Sequence, residues 1–421
     1  MQFESFIGAE SALLWGTFVI ALIMGAVVNK TNFCTMGAVS DLVNMGDMSR
    51  MRAWFLAMAV AMLGVSILEG VGAIDLNGSF PPYRSSQLIW AENILGGLIF
   101  GIGMTLASGC GNKTLIRIGG GNIKSIMVLA VIGTIAYFMT NPFPGSDQTL
   151  FSILFFDWIR PLAIDLNSQQ DIGSLLSSEN GDTVRMYAGI VIAILIMVYV
   201  FRSAEFRSSF DNILGGVVVG LAVLGGWYLS STIMVTVPDE DPMTLSGYYQ
   251  EWDMVAESEE GKPSVGAPLS SQSFTFVNPM GQTAGFSASG FDRSLLTFGI
   301  MSLFGVIMGS LLWSLISKSF RIEWFNSISD FVNHLIGAIL MGFGGVLALG
   351  CTIGQGITGI STLAVGSLLT FVAIVFGSSL TMKINYYKIV YEEEATFMKA
   401  LVASLADMRL LPDSLRKLDA V

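Results

Sequence analysis

The sequence predicts an all-α polytopic membrane protein: about nine transmembrane helices, short broken or re-entrant helices, and an inverted pseudo-twofold repeat. Three observations carry this prediction. Only 13% of the 421 residues are charged while 52% are hydrophobic, against roughly a quarter charged in a soluble domain. Nine apolar stretches each approach the roughly 17–25 residues that cross a bilayer. The only three cysteines each stand nine residues after a glycine, in copies of one pattern.

The nine stretches are Ser11–Val28, Ala53–Ala73, Leu88–Ala107, Ile123–Thr140, Met186–Phe201, Ile213–Val235, Ser294–Ile316, His334–Leu349 and Ser361–Met382. The first has no basic residues before it and no small-residue cleavage site, so it reads as a span and not as a removable signal. Nine spans place the connections after spans one, three, five, seven and nine on one side of the membrane. That side holds Lys30, Arg50, Arg52, Lys113, Arg117, Lys124, Arg202, Arg207, Lys318 and Arg321, with six more basic residues in the tail. By the positive-inside rule it is cytoplasmic, which puts the N-terminus outside and the C-terminus in the cytoplasm.

The net charge of −11 suggests neither a nucleic-acid partner nor a basic lipid-binding patch. Two outer loops are long: 141–185, with an amphipathic stretch Phe151–Ile164, and 236–293, with the acidic runs Asp239-Glu240-Asp241 and Glu257–Glu260. Both runs read as solvated faces. A single histidine, His334, read as an interfacial residue, and three well-separated cysteines form neither a zinc set nor a disulfide framework; no cofactor is expected. Trp54, Trp90, Tyr228 and Trp324 fit aromatic belts. Glu69, near the end of span two, is either a proton-coupled carboxylate or a hydrated helix end. In the tail, Glu392–Arg409 reads as a solvated helix with some amphipathic character.

The repeat runs Gly101 to Cys110, Gly342 to Cys351 and Gly25 to Cys34. Aligning Gly96-Gly97 and Gly101 with Gly215-Gly216 and Gly220 adds a fourth copy that ends at Leu229 and has lost its thiol. The copies at Cys34 and Cys110 run inward, and those at Leu229 and Cys351 run outward. Residues 1–140 and 213–382 are therefore two halves of opposite orientation, joined by the outer loop 141–185 and a connector, 186–212, with a cytoplasmic tail at 383–421. Inverted repeats of this kind are a plan of secondary transporters, with the substrate path where the halves meet.

After each cysteine the chain becomes glycine-rich or polar. Gly111-Asn112-Lys113-Thr114 follows Cys110, and Thr352-Ile353-Gly354-Gln355-Gly356 follows Cys351. These read as helix breaks that open short second helices, whose free N–H groups suit an anion. The glycines alone are explained by close helix packing, but packing does not explain a thiol recurring at one register. A thiol is soft and a weak donor, poorly matched to sulfate and better matched to an anion with its own terminal sulfur, such as thiosulfate. An enzyme-class alternative, a membrane thiol oxidoreductase, lacks the adjacent cysteine pair that such chemistry uses.

The runs Asn32-Phe33-Cys34, Ala107-Ser108-Gly109-Cys110 continuing to Arg117-Ile118-Gly119-Gly120-Gly121-Asn122, and Gly350-Cys351-Thr352-Ile353-Gly354-Gln355-Gly356 resemble the signature segments of the YeeE/YedE family of thiosulfate transporters. The resemblance implies thiosulfate import across a bacterial inner membrane, along a central path on which Cys34, Cys110 and Cys351 relay the ion by S–H···S contacts. It implies close approach at Gly109 and Gly350, with Asn112, Lys113 and Gln355 as polar neighbours and Gly111 and Thr352 opening the second helices. It also implies a small cytoplasmic sulfur carrier of the SirA/TusA type. Selenium-linked members make a selenium compound the alternative cargo.

Overall fold

The architecture was obtained as a computed structural model, which describes every residue except 178, 238–240, 256–260, 417 and 419–421, together with the side chain of Glu393. The acidic runs at Asp239-Glu240 and Glu257–Glu260 thus lie outside the described residues. Among the described residues nine helical stretches are long and apolar enough to cross a membrane. The protein is an all-α multi-pass membrane protein.

The helices that matter for the site are α1 (Phe6–Thr31), α2 (Thr35–Met45), α3 (Ser49–Gly70), α4 (Trp90–Leu106), α5 (Gly111–Gly119), α6 (Ile123–Thr140), α7 (Gly181–Phe201), α8 (Phe210–Thr232), α9 (Val277–Ala288), α10 (Phe298–Ile316) and α11 (Ile328–Leu347). A π-helix (Gly354–Gly359), α12 (Val365–Val390) and α13 (Phe397–Asp407) complete them. The first and third spans are each broken in two, as α1–α2 and α4–α5. Side-chain oxygens cap several starts: Ser5 accepts from the Gly8 N–H, Asn122 from Ser125, Thr297 from Ile300 and Ser327 from Asp330. Each satisfies a donor that the first turn would otherwise leave open.

Contacts along the helices fix their relative directions. Gly305 and Gly309 of α10 lie against Ala21 and Leu22 of α1, and Gly216 and Gly220 of α8 against Ala53 and Ala57 of α3, so both pairs run parallel. By contrast α1 and α8 cross antiparallel, with Gly16 against Leu229 and Thr31 against Gly215. So do α4 and α11, where Gly96 meets Gly344 and Gly103 meets Gly337. These small residues let the backbones touch. Spans of equal parity run together and spans of opposite parity run oppositely, as alternating crossings require. The pairing is also symmetric: α1 with α10 matches α8 with α3, and α4 with α12 matches α11 with α6. A twofold therefore relates the halves, and it passes between α4 and α11.

Polar ties at the two ends agree with this. On the face that carries most basic residues, Lys30 pairs with Asp211 at 3.3 Å and Lys124 with Asp330 at 2.8 Å. On the opposite face the strand β1 (Gln2–Phe3) pairs with β4 (Met234–Val235), β2 (Gln87–Leu88) with β3 (Ile164–Asp165), and β4 also with β5 (Met243–Thr244). There too the N–H of Phe80 bonds the Ser271 carbonyl at 2.9 Å.

Several local expectations change. The segment 236–293 ends in a partly buried helix, α9, which packs against α6 and α10. Trp54 is no belt residue: it is buried in the core and stacked between Phe33 (4.7 Å) and Phe371 (6.1 Å). Glu69 is neither free nor hydrated, because the Arg84 guanidinium grips both its oxygens at 2.6 and 2.7 Å and Arg185 stands at 3.7 Å. His334 is buried, bonded through Nδ1 to the Asp330 carbonyl at 2.8 Å. The segment 151–164 forms short π-, α- and 3₁₀-helical turns that expose Ile153, Leu154, Phe156 and Trp158 as an apolar face. The tail is not free in solvent. α13 folds back on α12, where Asp407 receives Lys383, Tyr387 and Arg416.

Candidate functional site

The three cysteines sit in one backbone motif, repeated to the level of single hydrogen bonds. Two residues before each lies a left-handed residue that ends the preceding helix: Asn32, Ser108 and Leu349, with φ of 51, 58 and 56°. The N–H of that residue bonds the carbonyl three back, and the next N–H reaches five back: Phe33 to Val28, Gly109 to Met104, Gly350 to Gly345. This is a Schellman-type stop. Each cysteine then accepts the first bond of a new helix, from Ala38 to Cys34, Thr114 to Cys110 and Gln355 to Cys351, at 2.8–3.0 Å. Non-glycine left-handed residues are uncommon, and three at one register mark a built feature.

The motif brings the thiols together. Cys34 and Cys110 lie against one another within hydrogen-bond reach. The Cys110 sulfur also meets the Thr352 hydroxyl, which ties it to the start of the helix behind Cys351. A Cβ on Gly111 would stand 4.0 Å from Cys351 Cβ and 3.8 Å from Phe276 Cβ. The Cys351 sulfur is surrounded by the N–H groups of Ile353, Gly354 and Phe276 and by the Thr275 hydroxyl. In each case the sulfur lies beside the N–H three residues on, that of Gly37, Lys113 or Gly354. All three thiols are buried and unpaired by disulfides.

A fourth helix start completes the group. The second half reaches it through α9, whose N-cap is Phe276. The carbonyl of Phe276 accepts from Met280, as Cys34 does from Ala38. Twofold symmetry thus pairs Cys110 with Cys351 and Cys34 with Phe276. The sequence alignment ended instead at Leu229, which is buried inside unbroken α8 opposite Gly16. A signal for the true position was present in Pro279, since proline is at home in a helix's first turn. Four helix N-termini converge on the centre of the molecule, each equivalent to roughly half a positive charge.

The remaining predicted residues divide by role. Gly109 and Gly350 are packed closely; a Cβ there would stand 3.1 Å from Lys113 Cγ and 3.3 Å from Thr275 Oγ1. Gln355 donates through Nε2 to the Ala348 carbonyl, which bridges the break, and its Oε1 is buried with no protein partner among the described residues. Asn112 Oδ1, Thr352 Oγ1 and Thr275 Oγ1 are likewise buried without an oxygen or nitrogen partner. Buried polar atoms are usually satisfied, and four such atoms beside three thiols form a polar lining. Lys113 lies on the basic-face side, with Nζ 3.2 Å from Asn32 Oδ1 and Cys34 and Arg117 within electrostatic reach. Thr275 and Phe276 had no place in the sequence reading.

The model of a family described as sulphur transport matches residues 30–380, which take in all three cysteines and both halves. The thiosulfate transporter TsuA of Spirochaeta thermophila is 23% identical over 377 residues, covering 87% of this chain and 97% of that protein. The thiosulfate transporter TsuA of Escherichia coli K12 is 22% identical over 367 residues, covering 82% of this chain and 87% of the relative. Both relatives bear transporter names, which sets the oxidoreductase alternative aside. The chain belongs to the sulphur transport family, the one its cysteine segments resemble.

Proposed function

We propose that this protein imports thiosulfate across a bacterial inner membrane, passing the ion between the thiols of Cys351, Cys110 and Cys34. The observation that carries this reading is the meeting of four helix N-termini around three thiols. At roughly half a charge each, the four termini supply about two positive charges, the charge of a dianion. Lys113 and Arg117, within electrostatic reach of Cys34, add positive charge on the basic-face side. Thiosulfate has a soft terminal sulfur for S–H···S contacts and hard oxygens for N–H and hydroxyl donors, and this site offers both kinds of partner. Sulfate has only the second kind.

The direction of passage follows from the surroundings of the thiols. Cys351 adjoins Thr275 and has Tyr83 within electrostatic reach, residues of the segments after spans six and two, while Cys34 has Lys113 and Arg117 within electrostatic reach. With the basic face in the cytoplasm, the order is Cys351, Cys110, Cys34. All three cysteines are buried, so uptake needs the covering segments to part, on one side at a time in an alternating-access scheme. The polar lining, from Asn112 and Thr352 to Gln355, holds the oxygens while the sulfur is handed on, and Gly109 and Gly350 leave room for the breaks. At the cytoplasmic face a small carrier of the SirA/TusA type takes the sulfur onward.

The test is growth. Cells that depend on this protein for thiosulfate as sole sulfur source are expected to grow, and to stop growing with Cys110→Ala or Cys351→Ala at normal protein levels. Normal growth of both variants would remove the thiols from the mechanism.

A further inference from the structure

We propose that Tyr83 is a second recognition element on the outer side of Cys351: its phenol donates a hydrogen bond to an oxygen of the entering oxyanion while the thiol meets its sulfur. This inference rests on the transport reading above and names how the site selects its cargo.

Tyr83 lies in the segment between α3 and α4, yet its side chain is buried, only 3% of the residue being exposed. Its hydroxyl has no hydrogen-bond partner among the described residues. A buried phenol normally finds one. The ring is not there by slack. It packs edge-on against Trp227 at 6.3 Å, and Trp227 is fixed in turn by donating Nε1 to the Ser361 hydroxyl at 3.2 Å. A Cβ on Gly359 would stand 3.0 Å from the ring, so the π-helix that follows Cys351 forms the other wall. The neighbouring Arg84 anchors the strap through Glu69 and through the Thr362 carbonyl, 3.0 Å from Nε. The phenol is thereby held within electrostatic reach of Cys351. Burial pushes its pKa up, with Cys351 adding to the shift, so the group is a donor at every physiological pH.

The geometry separates two jobs that a thiol alone cannot do. Soft contact at Cys351 recognises terminal sulfur, and the hydroxyls of Tyr83 and Thr275 recognise oxygen. An anion with only one of the two features leaves half of the site unpaired, which is how polar sites reject near-analogues.

The experiment compares wild type with Tyr83→Phe in liposomes, reading the concentration dependence of thiosulfate uptake and the thermal midpoint of the purified protein. Because the hydroxyl has no partner, its removal costs the fold no hydrogen bond, and the midpoint is expected to stay or rise. The half-saturating thiosulfate concentration is expected to rise about tenfold, the loss of one charge-assisted hydrogen bond, with the maximal rate changed less than about twofold. Unchanged half-saturation would overturn the proposal. So would a lowered midpoint, since that would show the hydroxyl holding the structure. Wild type that fails to take up thiosulfate would sink the transport reading itself, a different result from wild-type uptake with an indifferent Tyr83→Phe.

Discussion

Replacing Arg84 by methionine tests the packing of the strap between α3 and α4, and its cost can be worked from the contacts. The Arg84 side chain is 1% exposed and that of Glu69 11%, so water screens neither partner appreciably. Methionine keeps the length and the apolar stem but removes three bonds, two to the Glu69 carboxylate and one to the Thr362 carbonyl. The carboxylate is left buried with only Arg185 at 3.7 Å, and Arg185 already serves Asp171 at 3.2 Å and Asp182 at 2.6 Å. Removing one member of a buried pair costs about 3–5 kcal/mol, whereas removing both is often close to neutral. Arg84→Met is therefore expected to lower the unfolding free energy by about 4 kcal/mol, and Glu69→Leu with Arg84→Met to recover most of that loss. Titration with denaturing detergent in mixed micelles reads both. A single variant within about 1 kcal/mol of wild type, or a double variant no better than the single one, would refute the reasoning.

Three further outcomes follow from other parts of the structure. Mild oxidation in the membrane is expected to join Cys34 to Cys110 and to stop transport until a reductant is added, with Cys351 left free; mass spectrometry identifies the pair, and an oxidised protein that still transports would count against a path between those thiols. Gly103→Val is expected to prevent accumulation of folded protein, because a Cβ there would fall 2.7 Å from the Gly337 carbonyl oxygen at the twofold crossing; size-exclusion profiles of the variant against wild type decide. At Asp407 burial opposes the charge, but Lys383, Tyr387 and Arg416 outweigh it and hold the pKa below the usual 3.8. The contribution is then complete above that value and is lost only as pH falls through the lower folded one. Protease sensitivity of the tail should accordingly be equal at pH 7 and pH 5, and raised at pH 7 by Asp407→Asn.

Much of this architecture was legible in the sequence because it is written in local terms. The spans are apolar runs, and basic residues label one face. The cysteine motif repeats a helix stop whose bonds close within six residues. What could not be read was non-local. Arg84 reaches Glu69 from the segment between α3 and α4 and Arg185 from the start of α7, so a carboxylate near a helix end looked hydrated. Trp54 lies near a span end in sequence, yet it stacks in the core because α3 leans against the broken first span. The fourth helix start was missed because the long segment after α8 separates it from its glycine motif, so counting nine residues beyond Gly220 ended in α8 itself. The missing thiol of that copy is Phe276, an apolar residue at the symmetric counterpart of Cys34.

The most direct test of the central claim is uptake by purified protein in liposomes, with thiosulfate and sulfate compared for wild type, Cys34→Ala, Cys110→Ala and Cys351→Ala. Passage along adjoining thiols predicts thiosulfate uptake by wild type with little sulfate uptake, and a fall of about tenfold or more in each variant. Thiosulfate uptake at the wild-type rate in all three variants would contradict it.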